Sequence, residues 1–230
     1  MAKLRRVLLI GGALTTGLFL VACGLAAGLV GGRSMYEQPQ NKVVKKLSNS
    51  ITIREYGTRL IAESTAEAPT EEKAMNKAFI QLFNYISGEN STKGKVAMTV
   101  PVESVRQAEG EKIAMTTPVE SNAEPTTQGV SVTMRFFFPE EFTLESAPLP
   151  NNPNITVKEI PGETLAVLRK SGTMNPERFA EESAVLLQEL EGSEWKVLSA
   201  PRLYTWDPPF TPPPLRRNEI IVTVEKATAP

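Results

Sequence analysis

Two nine-residue segments near the middle of the chain decide how its fold is interpreted: Lys95–Glu103 reads KVAMTVPVE, and Lys112–Glu120 reads KIAMTTPVE. Seven of the nine positions are identical, and the second segment starts 17 residues after the first. Apolar residues alternate in both copies, and this period of two is typical of a strand because successive side chains leave opposite faces. The polar link between them carries Gly110, so the pair predicts an antiparallel hairpin. Pro101 and Pro118, which cannot donate to a ladder, are expected at strand ends or at a sheet edge.

The composition indicates one globular domain with a substantial core and an appendage. The chain has 230 residues, of which 41% are hydrophobic, and a net charge of −1, which gives no reason to expect nucleic acid as a partner. It has a single cysteine, Cys23, so an intramolecular disulfide is impossible. It has no histidine, which removes the side chain most often used as a general base and as a metal ligand.

The N-terminus has the pattern of a signal segment or a membrane anchor. Basic residues precede an uncharged run over 7–32. The segment Leu20–Cys23, LVAC, resembles a bacterial lipobox, in which Cys23 would carry the lipid. The competing interpretation is an uncleaved transmembrane helix, because the apolar run continues past Cys23 for long enough to cross a bilayer of about 30 Å. Both interpretations make the protein membrane-associated and put the folded domain on the non-cytoplasmic side.

The rest of the chain divides into a tether and one domain. We assign 1–32 to the signal or anchor, 33–42 to the tether and 43–226 to the folded domain. Two helices are predicted, one after the N-cap Thr70 and ending at Gly88, the other after Asn175 and ending at Gly192. The predicted apolar stripes are Ala74, Met75, Ala78, Phe79, Leu82, Phe83 and Ile86 in the first helix, and Phe179, Leu186, Leu187 and Leu190 in the second.

The same order of elements occurs twice. An alternating segment at Ile51–Glu55 precedes the first helix, and a similar one at Ile155–Glu159 precedes the second, 104 residues later. A further short strand candidate is Val43–Leu47, and alternating segments typical of strands are Val130–Phe138 and Ile220–Val224. Two helices among many strands predict an α+β fold with two related halves, in which an antiparallel sheet curls toward a barrel and the helices lie outside it.

No residue pattern in the chain predicts catalysis. The adjacent carboxylates Glu71–Glu72, Glu140–Glu141 and Glu181–Glu182 favour a solvated surface, because neighbours on a helix diverge. No Gly-rich phosphate loop or metal-ligand cluster is present in the sequence. The protein is therefore expected not to be an enzyme, and binding is the better hypothesis.

The repeated K-[IV]-x-M-T-x-P-V segment resembles the SOUL haem-binding protein family. A second segment supports the resemblance: Tyr204–Pro213 reads YTWDPPFTPP and leads into LRRNE at Leu215–Glu219, similar to a run that precedes the last strand of the family. The resemblance covers roughly 43–224. It implies a distorted antiparallel β-barrel flanked by two α-helices, internally duplicated, that binds haem or a related tetrapyrrole non-covalently.

The resemblance also implies where a ligand would lie. Family pockets use the first helix and the proline-rich loop, and the matching residues are Asn76, Phe79, Ile80, Phe83, Asn84, Trp206, Phe210 and Thr211. Any bound haem would lack a histidine ligand. Asn76 and Asn84 stand where basic residues would suit the propionates, leaving Lys73 and Lys77 nearby.

Three features of the motifs have two interpretations each. Met98 and Met115 are axial-ligand candidates or, as their apolar strand phase favours, core residues. Arg216 and Arg217 hold propionates or, as we favour, pair with Glu219 or other sheet carboxylates and pin the last strand. Trp206 and Phe210 form an exposed stacking surface or a cap on the barrel end.

Two other functions fit the same sequence. One is a ligand-free protein-interaction module. The other is a binder of other apolar or amphipathic small molecules, because the effector-binding domains of bacterial multidrug-responsive regulators share a similar duplicated fold. The oligomeric state stays open.

Overall fold

The computed structural model describes residues 36–92, 110–208 and 210–227, and it has the expected α+β class. The strands are β1 (Asn41–Lys46), β2 (Ile51–Tyr56), β3 (Arg59–Ala68), β4 (Asn90–Ser91), β5 (Val119–Thr126), β6 (Gly129–Phe137), β7 (Leu149–Pro150), β8 (Ile155–Ile160), β9 (Glu163–Lys170), β10 (Trp195–Val197), β11 (Arg202–Thr205) and β12 (Asn218–Lys226). The helices are α1 (Glu71–Ile86) and α2 (Pro176–Leu190), with a 3-10 turn at Pro213–Leu215.

Ten strands form one antiparallel sheet, and the expectation of a barrel is wrong. The order is β1-β2-β9-β12-β11-β5-β6-β3-β8, with β10 paired to β12, while β4 and β7 form a separate ladder. A barrel requires its two end strands to share a ladder. Here β1 and β8 end the sheet at opposite sides, and in the described ranges no ladder joins them. The sheet is therefore open.

The two halves repeat each other in register as well as in order. β2, β3 and α1 correspond to β8, β9 and α2. Tyr56 pairs with Glu163, and at the equivalent place Ile160 pairs with Arg59, so each partner is shifted by 104 residues. β2 therefore lies on β9 as β8 lies on β3, which relates the two halves of the sheet by an approximate two-fold rotation between β11 and β5.

One connection breaks this symmetry. β5 and β6 are joined by the two residues 127–128, whereas their counterparts β11 and β12 are joined by the proline-rich segment 206–217, called the proline loop below. The proline loop is therefore an insertion in one half only, and it carries the aromatic residues that the motif singled out.

Both helices begin at the predicted caps. The Thr70 side chain accepts from the backbone N–H of Lys73 at 3.4 Å, and Asn175 accepts from that of Arg178 at 2.9 Å. These bonds satisfy donors that have no partner inside the helix. α1 ends two residues before Gly88, whose φ of +117° favours glycine. The helix boundaries therefore follow from local chemistry.

Both helices cover the same face of the sheet, and this "helix face" holds two of the three apolar clusters. α1 packs on β3 and β6 through Ala78, Leu82 and Tyr85, and α2 packs on β9 and β12 through Leu186 and Leu190. The third cluster lies on the opposite "open face" and contains Tyr56, Ile61, Phe137, Leu165, Val167, Tyr204, Trp206 and Ile221. Adjacent residues such as Ile61 and Ala62 belong to different clusters, as alternation along β3 requires.

Only the second strand of the predicted hairpin can be compared with the structure, and only its end agrees. The first copy, 95–103, lies outside the described residues. In the second copy the ladder begins at Val119, directly after Pro118, which confirms that this proline sits at a strand end, whereas Lys112–Thr117 is not a strand. This segment instead bonds outside the sheet, because Ile113 donates to the carbonyl of Ile86 at 2.9 Å and Thr117 donates to that of Glu37 at 3.0 Å. The alternation of apolar residues in Lys112–Thr117 therefore did not correspond to a strand of the sheet.

The N-terminal predictions lie largely outside the described residues. These include the signal or anchor over 1–32 and the proposed lipid attachment at Cys23. Contacts group Glu37–Pro230 into one compact unit, and Asn41 and Lys42, assigned to the tether, belong to β1. Within the ranges that the structure describes, no helix has the length and apolar character needed to span a bilayer.

Candidate functional site

The outer side of α1 carries an apolar surface made of Phe79, Ile80 and Phe83, called the α1 patch below. Ile80 is 50% exposed and Phe83 is 46% exposed, which is unusual for residues of this size. The Phe79 and Phe83 rings are one helical turn apart and stack at a centroid distance of 6.0 Å with an interplanar angle of 14°. The patch therefore offers two nearly parallel rings beside an aliphatic side chain.

The α1 patch is anchored to the core through Phe79. The Phe79 ring meets Phe136 of β6 edge-on, at 5.6 Å and 65°, and is partly buried against the cluster beneath α1. Ala74 and Ala78 are fully buried and let the helix approach the sheet closely. The buried stripe is therefore narrow, and Phe83, which the sequence placed in it, points to solvent. Asn76 is exposed and Asn84 is half-buried, so amides flank the apolar residues along the helix.

The methionines near α1 are packed into the same cluster. Met134 is 3% exposed, and Met75 and Met115 pack on the cluster as partly buried residues. These positions agree with the packing interpretation favoured for Met115. Met98 lies outside the described residues.

The proline loop separates the residues that the sequence grouped together. Trp206 is 1% exposed and Thr211 is 4% exposed, whereas Phe210 is 82% exposed. Trp206 belongs to the open-face cluster, and the α1 patch lies above the helix face, so the sheet stands between them. The structure brings together Asn76, Phe79, Ile80, Phe83 and Asn84 on one helix, and it does not bring Trp206 to them.

The last strand is pinned by the charged motif that precedes it. The Arg217 guanidinium stacks on the Trp206 ring at 3.7 Å and donates to Glu219 Oε1 at 2.7 Å. Trp206 Nε1 donates to the other oxygen of Glu219 at 2.9 Å, and Arg54 pairs with the same carboxylate at 3.1 Å. Glu219 is fully buried. The favoured interpretation of Arg217 as a structural residue is therefore confirmed.

A chain of ion pairs on the open face was missed by sequence reasoning. The chain begins at Lys158, which pairs with Glu63 at 2.7 Å, and Arg135 pairs with the same carboxylate at 2.7 Å. Arg135 also pairs with Glu120 at 2.7 Å, and Arg202 pairs with Glu120 at 3.1 Å. Arg202 then pairs with Glu163 at 2.9 Å, and Arg59 ends the chain by pairing with Glu163 at 2.6 Å. These seven residues are called the ion-pair chain below. In the sequence these residues stand out only as charged residues at strand positions that alternate with the other face. Such a position becomes informative only when the neighbouring strands are known.

The ion-pair chain shifts the acidity of its carboxylates. Burial by itself would raise the pKa of Glu63, but hydrogen bonds from Lys158 and Arg135 outweigh it and hold this pKa below its ordinary value. Burial likewise opposes ionisation of Glu163, and the charge of Arg202 together with hydrogen bonds from Thr223 and Arg202 brings its pKa down. Both carboxylates are therefore ionised at neutral pH.

Comparison with known proteins agrees with the two motifs. The family model described as SOUL heme-binding protein matches residues 36–223. The chain belongs to the SOUL family. No curated protein matches the chain.

Solved structures show how widely the fold of this SOUL-family chain is shared. The crystal structure of the EcmrR C-terminal domain is 15% identical, with a TM-score of 0.53, and the match covers 77% of this chain and 98% of that one. EcmrR in a complex with DNA is 13% identical over 97% of this chain and 71% of that one, with a TM-score of 0.52. A hydrolase from Listeria innocua is 10% identical over 76% and 92%, with a TM-score of 0.47. At such identities the first two matches show the fold alone.

Proposed function

We propose that this domain binds haem or a related tetrapyrrole non-covalently at the α1 patch. The observation that carries the proposal is the stacked and half-exposed pair Phe79 and Phe83, with Ile80 beside it, on a helix whose other outer residues are polar. Contiguous exposed apolar surface is a feature of ligand-binding grooves and interaction sites. A porphyrin is flat and apolar on both faces, so it can cover both rings at once.

The polar groups around the patch suit the edge of such a ligand. Asn76 and Asn84 lie beside the apolar residues and can donate to propionate oxygens. Lys73 and Lys77 are exposed on the same helix and can add charge. The ring faces would then supply most of the affinity, and the amides and cations would orient the ligand.

Iron coordination would contribute little to this binding. The chain has no histidine, so bound iron would have methionine, tyrosine, water or no protein ligand. Met75, Met115 and Met134 all belong to the cluster beneath α1 or pack on it, so their thioethers are engaged in core packing. Binding, carriage or delivery of the ligand therefore suits the domain better than turnover.

The proposed cellular setting follows from the N-terminal sequence. An uncharged run after three basic residues favours attachment to a membrane, by a lipid on Cys23 or by a transmembrane helix. The tetrapyrrole would then be bound at a membrane, by a domain on its non-cytoplasmic side.

Titration of the full-length protein in detergent with hemin, followed by the Soret band, tests the proposal. We expect saturable binding by the wild type and a loss of at least about tenfold in affinity for Phe83→Asp, because a buried charge at the ring face opposes an apolar ligand. Val185→Asp on α2 is the matched control, since Val185 is 42% exposed and should tolerate the same change. Saturable binding with equal affinity in both variants would move the site away from α1. No binding by the wild type would favour the interaction module or another amphipathic ligand.

A further inference from the structure

The ion-pair chain leaves three buried polar atoms without a partner in the half that ends at Arg59. Among the described residues, Arg59 Nε, Arg202 Nε and Glu120 Oε2 are inaccessible to solvent and make no hydrogen bond. Arg59 is 8% exposed and Glu120 is 2% exposed. Buried donors and acceptors nearly always have partners, so three unpartnered atoms in one cluster point to a missing molecule.

The partners that these side chains do have link the three groups to one another. Arg59 Nη2 and Arg202 Nη2 hold the two oxygens of Glu163, at 2.6 and 2.9 Å. Glu120 Oε1 accepts from Arg202 Nη1 at 3.1 Å and from Arg135 Nη1 at 2.7 Å, which leaves its other oxygen free. Arg202 and Glu163 therefore link Glu120 to Arg59, and two N–H donors and one carboxylate acceptor remain unused among these residues.

The charge of the cluster favours an anion. The ion-pair chain contains four cations, Arg59, Arg135, Lys158 and Arg202, and three carboxylates, Glu63, Glu120 and Glu163. When all seven side chains are ionised, the net charge of the ion-pair chain is therefore +1. Hydrogen bonds from arginine to an anion are stronger than those between neutral groups.

We propose that Arg59, Arg202 and Glu120 of the ion-pair chain together bind a singly protonated oxyanion, the chemistry that hydrogenphosphate and hydrogencarbonate share. Oxygens of the anion accept from Arg59 Nε and Arg202 Nε, and its O–H donates to Glu120 Oε2. The three unpartnered atoms are then satisfied. Hydrogencarbonate, with one negative charge, neutralises the excess positive charge, and hydrogenphosphate, with two, leaves one negative charge. An anion without a proton would instead place an oxygen against Glu120 Oε2, and the two acceptors would repel each other.

The anion would enter from the end of the chain that faces solvent. The Lys158 side chain is 42% exposed and that of Arg135 is 23% exposed, compared with 7% for Arg59. The end of the ion-pair chain that holds Lys158 and Arg135 is therefore the more accessible one. The site lies on the open face, away from the α1 patch, so it is independent of tetrapyrrole binding.

Isothermal titration calorimetry on the full-length protein measures the affinity for each anion and so compares anions that carry an O–H group with one that does not. Inorganic phosphate, bicarbonate and sulfate are titrated separately at pH 7 and at one ionic strength set with chloride. Concentrations stay low, because sulfate and phosphate also stabilise proteins by exclusion from the surface. We expect phosphate or bicarbonate to bind at least about tenfold more tightly than sulfate, which lacks the O–H. The tighter of the two identifies the source of the oxyanion.

The variant Glu120→Gln tests the assigned acceptor. Its amide oxygen can keep the bonds from Arg135 and Arg202, and its NH2 group then replaces Oε2, so we expect sulfate to bind more tightly than phosphate. Glu124→Gln is the matched control, since Glu124 lies exposed on the same strand and should leave the order unchanged. Arg202→Lys keeps the charge but removes the Nε–H donor, and we expect it to lower the affinity for the tighter anion at least about tenfold.

Two results would overturn the proposal. Folded wild-type protein that gives no saturable heat with phosphate or bicarbonate would show that the atoms bind water only. Equal affinity for protonated anions and sulfate, in the wild type and in Glu120→Gln, would show a general attraction for anions. If Glu120→Gln does not fold, the comparison of the wild type with Arg202→Lys decides, and unchanged affinity in that variant counts against the site.

Discussion

Arg59 and Glu163 occupy equivalent positions in the two halves of the chain and bind each other, with Arg59 Nη2 2.6 Å from Glu163 Oε1. They are the first residues of β3 and β9 and lie 104 residues apart. Two identical halves would bring two like side chains together here, and like charges would repel. The ion pair therefore depends on a difference between the halves, and it joins them at the open face through opposite charges.

The lowered pKa of Glu163 makes part of the stability depend on pH. A carboxylate whose pKa is lower in the folded state than in the unfolded state stabilises the fold above the unfolded value, about 4.3 for glutamate, and this contribution is lost as the pH falls through the folded value. We expect Glu163→Gln to cost about 1–3 kcal/mol at pH 7 and progressively less as the pH falls below about 4. Urea unfolding at a series of pH values measures both.

The control for this pH dependence is a glutamate at the surface. Glu225 pairs with Lys196, and their side chains are 51% and 67% exposed. Glu225→Gln should change the free energy of unfolding by less than about 1 kcal/mol, because exposed ion pairs contribute little. A loss for Glu163→Gln that stays constant from pH 7 to pH 3 would contradict the assigned cause.

Leu82 and Leu186 should contribute similarly to stability. Each is fully buried between its helix and the sheet, in equivalent halves of the fold. We expect either change to alanine to lower the free energy of unfolding by about 2–5 kcal/mol. Leu198→Ala is the control, because Leu198 is 50% exposed, and it should cost under about 1 kcal/mol. Chemical denaturation at pH 7 measures all three, and a cost for Leu82→Ala no larger than that for Leu198→Ala would oppose the packing described for α1.

Met115 should affect packing rather than ligand affinity. Met115→Leu keeps the volume and apolar character but removes sulfur, so we expect a cost below about 1.5 kcal/mol in stability and nearly unchanged hemin affinity. Metal-free protoporphyrin should compete with hemin at similar concentrations, since its ring offers the same faces. A strong preference for the iron form that disappears in Met115→Leu would instead make this sulfur an iron ligand. The same substitution at Met98 carries the same expectation.

Local chemistry in the sequence was enough for the helices and for several of the strands. Thr70 and Asn175 cap the helices as predicted, and the repeat of Ile51–Glu55 at Ile155–Glu159 marks strands that occupy equivalent places in the sheet. The family was also recognisable from sequence, because two separated motifs lie in the right order. Such signals are visible because a cap, a turn or an alternation involves residues only a few positions apart.

The sequence predicted that most candidate site residues lie on one helix, but it did not predict which of them are exposed. Phe79 and Phe83 share a face because they are four residues apart, but the exposure of Phe83 depends on how closely Ala74 and Ala78 let α1 approach the sheet. The sequence left Trp206 as either an exposed stacking surface or a cap, and the structure buries it, bonded to Glu219 and stacked under Arg217. In both cases the sequence names the residue, and the surrounding chain decides which side of it meets solvent.

The sequence by itself determined the class of the fold, its two related halves, the helix ends and the family, since these depend on composition, period and local motifs. Only the tertiary structure decided that the sheet stays open, that Lys112–Thr117 leaves the ladder, and that Arg59 meets Glu163. The physical reason is that strand order and ion pairing depend on which distant segments bury apolar surface together. That burial is a property of the whole chain, and no local pattern encodes it.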